Sequence, residues 1–546
     1  MQVKYSKKVK EMPELTSVQL DGKTLTIRDV VRIARNTQDS ICTLSHEACQ
    51  RIEASYALKQ QFLQTKQPMY GITTGFGDSG RRQISARKAA QLQSNLIRFL
   101  LCGTGPLVPP EVTRATMLIR VNCLARGNSA IRKEVINRLL YFLGQDILPL
   151  IPACGSVGAS GDLVPLSYLA AMVIGEGNVC EQGTLKEIAE VLKAHKLEPL
   201  TLEAKEGLAL VNGTSFMSGF ACLTSYDVGE LAFIADVSTA MACEALCCSR
   251  GHFEAFIHAQ KPHQGQIKSA ANIARLLEDS CLAQSDQQIL ASYEELAQRE
   301  YQELGQMQQS KYSLRCAPHI IGVLYDTLSW VEAWIETEIN SSNDNPLFDV
   351  ETQAIHHGGN FYGGHIAQAM DALKIAVANI ADLLDRQLEL VVDEKFNNGL
   401  TPNLIPFLRE DAEEAGLYHG FKGMQLTCSA LTAEALKLAG PASIFSRSTE
   451  AHNQDKVSMG SIAARDAYTM VELVQHVAAI HLLALCQAVD LRGRERMSTL
   501  TRAVYEAIRQ TVPFVGSDRR MDDDIEKVVT LIRSSTLRQA IETTMG

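Results

Sequence analysis

Apolar residues recur at helical spacing through most of the chain after residue 80. The pattern is strongest over residues 205–248, 365–396, 425–440 and 457–490, where few β-branched residues alternate with polar ones. The run HIAQAMDALKIAVANIADLLDRQLELVV continues for more than 25 residues without a break. Helices of that length are typical of bundles and of subunit interfaces. The pattern predicts a mainly α fold with a long central helical bundle.

The first part of the chain has a different pattern. The short apolar segments SVQLDG and LTIRDV predict a small pair of strands at most, and no βαβ rhythm is visible. No linker rich in proline, glycine or serine divides the chain, and no repeat is present. We expect a smaller N-terminal region (1–205), a central long-helix bundle (206–495) and a C-terminal helical segment (496–546).

Composition excludes several classes of protein. The 546 residues are 46% hydrophobic and 21% charged, which supplies a large core, and the net charge of −10 argues against general binding to nucleic acids. The first residues contain no apolar segment of the kind that directs secretion, and no uninterrupted apolar stretch of about 18 residues predicts a membrane span. These features favour a cytoplasmic protein with no membrane partner.

The fourteen cysteines do not form a metal site or a disulfide framework. They are scattered, mostly within apolar helical runs, and no CxxC pair occurs. The adjacent His356 and His357 fit a turn better than a metal site, because neighbouring side chains rarely face one ion. We therefore expect reduced, buried thiols and no metal.

Polar clusters interrupt the apolar helical pattern and carry the functional signal. Taken singly, Asn212 or Asn345 fits a turn or a helix cap, and Tyr70 fits a core tyrosine with a satisfied hydroxyl. The glycine-rich segments fit no phosphate-binding loop. Together the clusters indicate a site; they are MYGITTGFG (69–77), EGLALVNGTS (206–215), YSLRCAPH (312–319), NSSNDNPLFD (340–349), HHGGNFYG (356–363), YHGFKG (418–423) and STEAHNQDKVSMG (448–460).

The segment GSVGASGDLVPL (155–166) places small residues and one acid between two apolar runs. Such a cluster is often only a turn between helices. With the motifs YGITTGFG, EGLALVNGT, YSLR, NDNPL, HGGNF and NQDKVSMG in the same order, however, the chain resembles the aromatic amino-acid ammonia-lyases and aminomutases, a family that includes histidine ammonia-lyase. The resemblance runs from about residue 20 to about residue 535.

The resemblance implies a built-in electrophile instead of an external cofactor. In the family, the nitrogen matching Gly161 attacks the carbonyl carbon of Ala159, and Ser160 loses its hydroxyl as water. The product is 4-methylideneimidazole-5-one (MIO). Small residues ease the tight bend that this closure needs. The substrate amine adds to the methylidene, which turns a reluctant α-ammonium into a better leaving group.

Further residues match the family's site positions one by one. Tyr70 matches the base that removes a β-proton, and Arg315 matches the residue that holds the substrate carboxylate through a bidentate guanidinium. Tyr312 matches a second active-site tyrosine. The other matches are polar groups near MIO and substrate (Asn212, Gln309, Asn345), a residue packing beside MIO (Phe361) and further pocket residues (Lys422, Glu450, Asn453). Ser310 and Lys311 depart from the Asp-Arg common in relatives.

Three positions address the substrate. Phe99 and Leu100 stand where histidine lyases usually have Ser-His and tyrosine-selective enzymes have histidine, and Gln454 stands where histidine lyases have glutamate. An apolar pair cannot pair with a phenol or imidazole, so the sequence favours L-phenylalanine, with trans-cinnamate as product. A phenylalanine or tyrosine 2,3-aminomutase shares these motifs and remains an alternative. Histidine lyase and a catalytically silent scaffold fit less well.

The resemblance also implies a homotetramer with shared active sites. The long helices between 365 and 490 offer more apolar surface than one chain covers easily. We expect Tyr70 or Phe361 to come from a different subunit than Ala159.

Overall fold

The computed structural model describes residues 16–35, 40–305, 307–406 and 416–546. Contacts within the chain define two compact units, and both are discontinuous in sequence. The first comprises Met1–Leu223, Trp334–Gln368 and Ala442–Ala464, and the second comprises Thr224–Ala333, Ala369–Pro441 and Arg465–Gly546. The prediction of three consecutive regions remains a prediction about domain organisation.

Four long helices contribute residues to both units and confirm the mainly α fold. They are Ser215–Ala245, Ala317–Ile339, Gly364–Val392 and Gly460–Arg492. The apolar stretch predicted over 205–248 is interrupted at Asn212, where the backbone leaves the helical region (φ −89°, ψ 94°) after the short helix Glu206–Val211. This break turns the Asn212 side chain out of the helix.

Helix Gly460–Arg492 is long and apolar enough to cross a membrane by length and composition alone. Its most apolar window has a mean hydropathy of 1.6, but 78% of that window is buried inside the structure. The sequence prediction of no such segment was too strict, since it required an uninterrupted apolar run. The burial is that of a core helix in a globular protein.

The first unit packs its shorter helices around helix Pro110–Ala125. That helix is buried on nearly every side and contacts both Ile27–Arg35 and Lys133–Gly144. Its Arg120 is fully buried, and the guanidinium donates to the carbonyl of Ala209 at 2.7 Å. The remaining α-helices of this unit are His46–Gln64, Ala89–Leu100, Leu163–Val173, Ile188–Ala194 and Glu206–Val211, and its 3₁₀ turns are Gly77–Arg81, Ala86–Lys88 and Ser443–Phe445.

Short strands complete the first unit. Thr104–Leu107 pairs antiparallel with Pro152–Cys154, and Leu347–Asp349 forms a hairpin with Ala354–His356. A three-stranded antiparallel sheet has the order Ile147–Pro149, Asn178–Glu181, Thr184–Glu187. Each sheet is small, but these seven strands lie after residue 80, where the sequence predicted helix and no strand.

One small βαβ unit near the start contradicts the sequence analysis. Strand Thr16–Leu20 pairs parallel with Ser40–Leu44, and helix Ile27–Arg35 connects them. The segment LTIRDV, expected to be a strand, begins that helix. The reason is a local cap: the Thr26 hydroxyl accepts from the backbone of Asp29 at 3.1 Å and donates to its carboxylate at 2.7 Å.

In its described part the second unit consists of helices joined by loops, and none of the strands named above belongs to it. Its α-helices outside the four long ones are Ala255–Ala259, Gln264–Leu276, Asp286–Ala291, Tyr312–Arg315, Lys422–Lys437, Thr499–Arg509, Asp522–Arg533 and Thr536–Met545. Its 3₁₀ turns are Arg250–Phe253, Pro402–Leu404 and Arg494–Arg496.

Candidate active site

The segment Gly155–Asp162 forms a sharply bent loop ahead of helix Leu163–Val173. Gly158 and Gly161 both lie in the left-handed region, with φ of +67° and +68°. Gly161 pairs with Gly213 as an isolated parallel bridge, and a Cβ at position 161 would collide with the Gly213 carbonyl. Both the conformation and the space therefore require glycine at 161.

Asp162 holds this loop in place through hydrogen bonds to its carboxylate. Its fully buried carboxylate accepts hydrogen bonds from the Ser156 hydroxyl at 3.1 Å, from the Ser461 hydroxyl and from the backbone N–H of Met217 at 2.9 Å. Burial raises the pKa of Asp162 to about 6, although these donors oppose the shift. The loop is thus fixed by a network that includes the start of helix Gly460–Arg492.

Asn212 reaches the tripeptide from the helix break. Its side-chain amide donates to the Ser160 carbonyl oxygen at 2.9 Å, and its own side chain is 2% exposed. Gly213, the next residue, also has no room for a side chain, because a Cβ would collide with the buried Arg120 guanidinium. A buried amide donor is therefore aimed at the Ser160 carbonyl, from which it withdraws electron density.

Tyr70 lies on a well-bonded loop. Its hydroxyl oxygen accepts a hydrogen bond from the backbone N–H of Gly77 at 2.8 Å. The loop is tied to the adjacent helices by buried Gln93, which donates to the Gly71 carbonyl at 3.1 Å and accepts from the N–H of Leu208 at 2.9 Å. Burial raises the pKa of Tyr70, and the charge of Glu450 raises it further, while the Gly77 N–H opposes both effects.

Glu450 belongs to a strained turn. Glu450, Ala451 and His452 have φ of 53°, 49° and 65°, three successive non-glycine residues in the left-handed region. Each costs about 1–2 kcal/mol, so the surroundings must hold the turn. The bridge between Thr449 and Gln454 closes it, and the Asn453 amide donates to the Glu450 carboxylate at 3.2 Å. Burial raises the pKa of Glu450.

Gln454 is hydrogen-bonded to the tripeptide. Its amide nitrogen donates to the Ser160 hydroxyl at 3.2 Å, and its carbonyl oxygen accepts from the Thr449 hydroxyl at 3.0 Å. Ser160 is therefore contacted on its carbonyl by Asn212 and on its hydroxyl by Gln454. Both contacts come from side chains far away in sequence.

These features surround one cavity of about 470 Å³ in the first unit, a volume suited to a small ligand. Twelve of the residues singled out from sequence line it: Tyr70, Phe99, Leu100, Ala159, Ser160, Gly161, Asn212, Asn345, Phe361, Glu450, Asn453 and Gln454. One part of the lining is apolar and another is polar, which is the arrangement needed for a substrate with an aromatic ring and a charged amino-acid group.

Four predicted site residues do not line this cavity in the described chain. Gln309, Tyr312, Arg315 and Lys422 belong to the second unit. Arg315 contacts the other two residues of the same segment: its guanidinium donates to the Gln309 side chain and lies 4.8 Å from the centre of the Tyr312 ring. Tyr312 is 71% exposed.

Tyr70 and Phe361 both line the Ala159 cavity within a single chain. The expectation that one of them must come from a different subunit is therefore wrong for this chain. The loop that carries Tyr70 and the turn that follows the hairpin Leu347–Asp349, Ala354–His356 both belong to the same compact unit as the tripeptide.

The sequence analysis missed several lining residues. Leu96 and Leu208 each stand four positions before a predicted site residue, Leu100 and Asn212, so helical spacing could have identified them. Leu163 and Val164 follow the tripeptide after the intervening Asp162. Gly77 was quoted only as part of a motif, and its contact with Tyr70 has no sequence signal.

The surroundings of the tripeptide fit its conversion to MIO. The bend at Gly161, the lack of room for a side chain there, and the polar contacts on Ser160 are what a backbone closure between residues 159 and 161 requires. Ala159 itself packs in an apolar cluster with Val457 and Met459. When formed, the group would supply an electrophile at the position of Ser160, inside the cavity.

Comparisons with known proteins agree with this site. The family model "Aromatic amino acid lyase" matches residues 25–510. A tyrosine ammonia-lyase from Cupriavidus metallidurans is 40% identical over 534 residues, covering 97% of this chain and 98% of its own. A histidine ammonia-lyase from Gloeobacter violaceus is 39% identical over 527 residues, with 96% and 98% covered. The crystal structure of a tyrosine aminomutase from Streptomyces globisporus superposes with a TM-score of 0.91 at 38% identity, covering 97% of this chain and 99% of that one.

Proposed function

The chain belongs to the aromatic amino acid lyase family, and on that premise we propose that it removes ammonia from L-phenylalanine to give trans-cinnamate. The observation that supports this proposal most is the convergence of Tyr70, Asn212 and the bent tripeptide on one cavity. The proposal includes an MIO group formed from Ala159, Ser160 and Gly161, with no external cofactor and a cytoplasmic location.

Individual residues of this chain have separate roles in the proposed reaction. Tyr70 removes the β-proton, and its hydroxyl is held for that role by the Gly77 N–H at 2.8 Å. Asn212 donates to the Ser160 carbonyl oxygen and stabilises negative charge there. The Glu450 carboxylate, which accepts a hydrogen bond from the Asn453 amide, is suited to the substrate ammonium. An MIO group formed at Ser160 would supply the electrophile that makes the amine a better leaving group.

The ring end of the cavity supports phenylalanine. Leu100 is 6% exposed and lines the cavity with Leu96, Leu208 and Phe99. An aliphatic wall leaves a phenol hydroxyl without a partner, which costs about 1–3 kcal/mol. Gln454 is engaged by Ser160 and Thr449, so it does not offer an imidazole the carboxylate partner that a glutamate would.

Tyrosine is the second candidate substrate, and 2,3-aminomutase the second candidate reaction. Both are favoured by the relatives whose names specify tyrosine lyase and tyrosine aminomutase activity. A mutase would retain the arylacrylate and ammonia long enough to return nitrogen to the β-carbon, so the two reactions differ in product release.

We further propose that the enzyme is a homotetramer in which another subunit supplies the carboxylate-binding group. Among the residues that line the described cavity there is no arginine. Arg315, Tyr312 and Gln309 instead form a surface cluster, as residues meant for a neighbouring copy would. Lys422 remains a proposed member of the same assembled site.

The test of the proposed reaction is product identification. L-Phenylalanine, L-tyrosine and L-histidine are each incubated with the purified enzyme, and the products are separated by chromatography. We expect cinnamate and equimolar ammonia from phenylalanine at the highest kcat/KM of the three. Release of β-phenylalanine would assign the mutase, and a preference for tyrosine or histidine would overturn the proposed substrate.

A further inference from the structure

The segment that carries Gln309, Tyr312 and Arg315 is anchored on its inner side. Leu314 is 2% exposed, and the buried Gln387 amide donates to the Ser313 carbonyl at 2.8 Å. These contacts fix the end of the segment near Arg315. Its beginning, at Ser310, depends on a different residue.

That residue is His252, in the 3₁₀ turn Arg250–Phe253. Its Nε2 lies 3.2 Å from the backbone nitrogen of Ser310 and 3.1 Å from the Ser310 hydroxyl oxygen. A backbone N–H can only donate, so Nε2 must be the acceptor. His252 therefore holds Ser310 in its neutral form, with the ring proton on Nδ1.

The turn that carries His252 is held in place by hydrogen bonds to neighbouring residues. Its carbonyl oxygen accepts from His258 Nε2 at 3.1 Å, and the other ring nitrogen of His258 contacts the Gln266 amide at 3.0 Å. His258 and Gln266 are both buried. The Ser249 hydroxyl accepts from the Gly251 N–H at 3.0 Å and donates to the Asp286 carboxylate, which closes the turn.

We propose that His252 is a positioning residue for substrate binding: its unprotonated Nε2 holds Ser310 and so keeps Arg315 in contact with Gln309 and Tyr312. The inference rests on the proposed function, in which Arg315 binds the substrate carboxylate and Tyr312 and Gln309 belong to the same assembled site. His252 does not touch substrate; it acts through Ser310.

Burial is the main factor that favours the neutral His252 ring. Burial lowers its pKa, and the Arg315 guanidinium lowers it further, while the Asp286 carboxylate opposes both. The Cys248 thiol also interacts with Ser310, and burial raises its pKa to about 11, so it adds no charge near neutral pH. Protonation of His252 would place an N–H against the Ser310 N–H and break the anchor.

Three variants test this role. His252→Leu removes the acceptor, and His252→Gln keeps one, since its amide oxygen can take the Ser310 N–H. His263→Leu is the matched control, because His263 is an exposed histidine of the same unit. We expect His252→Leu to raise the KM for phenylalanine about three- to tenfold with little change in kcat, the loss of one net hydrogen bond to a binding element. His252→Gln and His263→Leu should stay near wild type.

The pH dependence separates positioning from general stability. Below the ordinary histidine range, the KM of the wild type should rise as His252 takes up a proton, and His252→Gln should lack that rise. A KM that rises equally in both proteins would assign the titration to another group and overturn the inference.

Hydrogen exchange measures whether His252 holds Ser310, independently of enzyme activity. Amides of the peptide that contains Ser310–Arg315 should exchange faster in His252→Leu than in the wild type, and at wild-type rates in the other two variants. Unchanged exchange and KM in His252→Leu would refute the role, as would equal losses in His252→Leu and His252→Gln. If the wild type converts no aromatic amino acid, the proposed function fails, while the exchange data still decide whether His252 holds Ser310.

Discussion

Replacing Phe99 with histidine tests whether the ring end of the cavity selects the substrate. Phe99 lines the cavity and is 62% exposed, while its neighbour Leu100 is buried. A histidine here offers a tyrosine hydroxyl a hydrogen bond worth about 0.5–1.5 kcal/mol, and it offers a phenyl ring an unpaired polar edge. Because the position is partly open to water, the penalty for phenyl lies near the lower end of the usual 1–3 kcal/mol.

The two effects add to about 1.5–2.5 kcal/mol in favour of tyrosine, so the ratio of kcat/KM for tyrosine over phenylalanine should rise at least about tenfold. Less than half of the Phe99 surface is buried, so the melting temperature should barely change. The alternative interpretation, that Phe99 only fills a helix core, predicts a lower melting temperature and equal losses for both substrates.

The assay measures kcat/KM for both amino acids, with the melting temperature, in the wild type, in Phe99→His and in Phe256→His. Phe256 is a matched control, since it is 76% exposed and belongs to the second unit. It should leave the substrate ratio unchanged. An unchanged ratio in Phe99→His, with a lowered melting temperature, would refute the role of Phe99 in selection.

Three further predictions follow from the site and its assembly. Ser160→Ala can close the backbone ring but cannot lose a serine hydroxyl, so its intact mass should be lower than the encoded mass by one water at most, against two in the wild type. Its turnover should be nearly abolished. Near-native turnover without another electrophile in the mass spectrum would contradict the MIO assignment. Glu450→Gln removes a negative charge that raises the pKa of Tyr70, so the rise of kcat/KM with pH should move to lower pH, and a rise that stays in place or moves to higher pH would exclude this coupling. Light scattering should give the mass of four chains of 59.9 kDa, and a fully active monomer would rule out the shared site.

The helical part of the fold follows from the sequence because its periodicity is long and regular. Helices Gly364–Val392 and Gly460–Arg492 lie within a few residues of the predicted stretches. The errors are local. At LTIRDV the apolar residues are too few to define a period, and the cap formed by Thr26 and Asp29 decides for helix.

The composition of the candidate site was also accessible from the motifs, but its geometry was not. The motifs indicate that Tyr70, Asn212 and Glu450 belong together. They do not reveal that Gly161 packs against Gly213, or that Asp162 bonds Ser461 across the unit, since these contacts join residues far apart in sequence. The left-handed turn at Glu450 is likewise set by tertiary contacts, because non-glycine residues avoid that conformation on their own.

The location of the surface cluster around Arg315 could not be predicted from the sequence for a different reason. Tyr312 and Arg315 were predicted from YSLR, and Gln309 from its match to the family. Within one chain Arg315 contacts the other two, and none of the three lines the cavity. A pattern in one sequence does not state which copy of the chain completes a site. The assembly must therefore be measured.

The central claim is that this chain deaminates phenylalanine with an electrophile made from its own backbone. The most direct measurement incubates the purified wild type with L-phenylalanine, without added cofactor, and identifies the products by mass spectrometry. The account predicts trans-cinnamate and ammonia in equal amounts. A failure to release cinnamate from phenylalanine would contradict the claim.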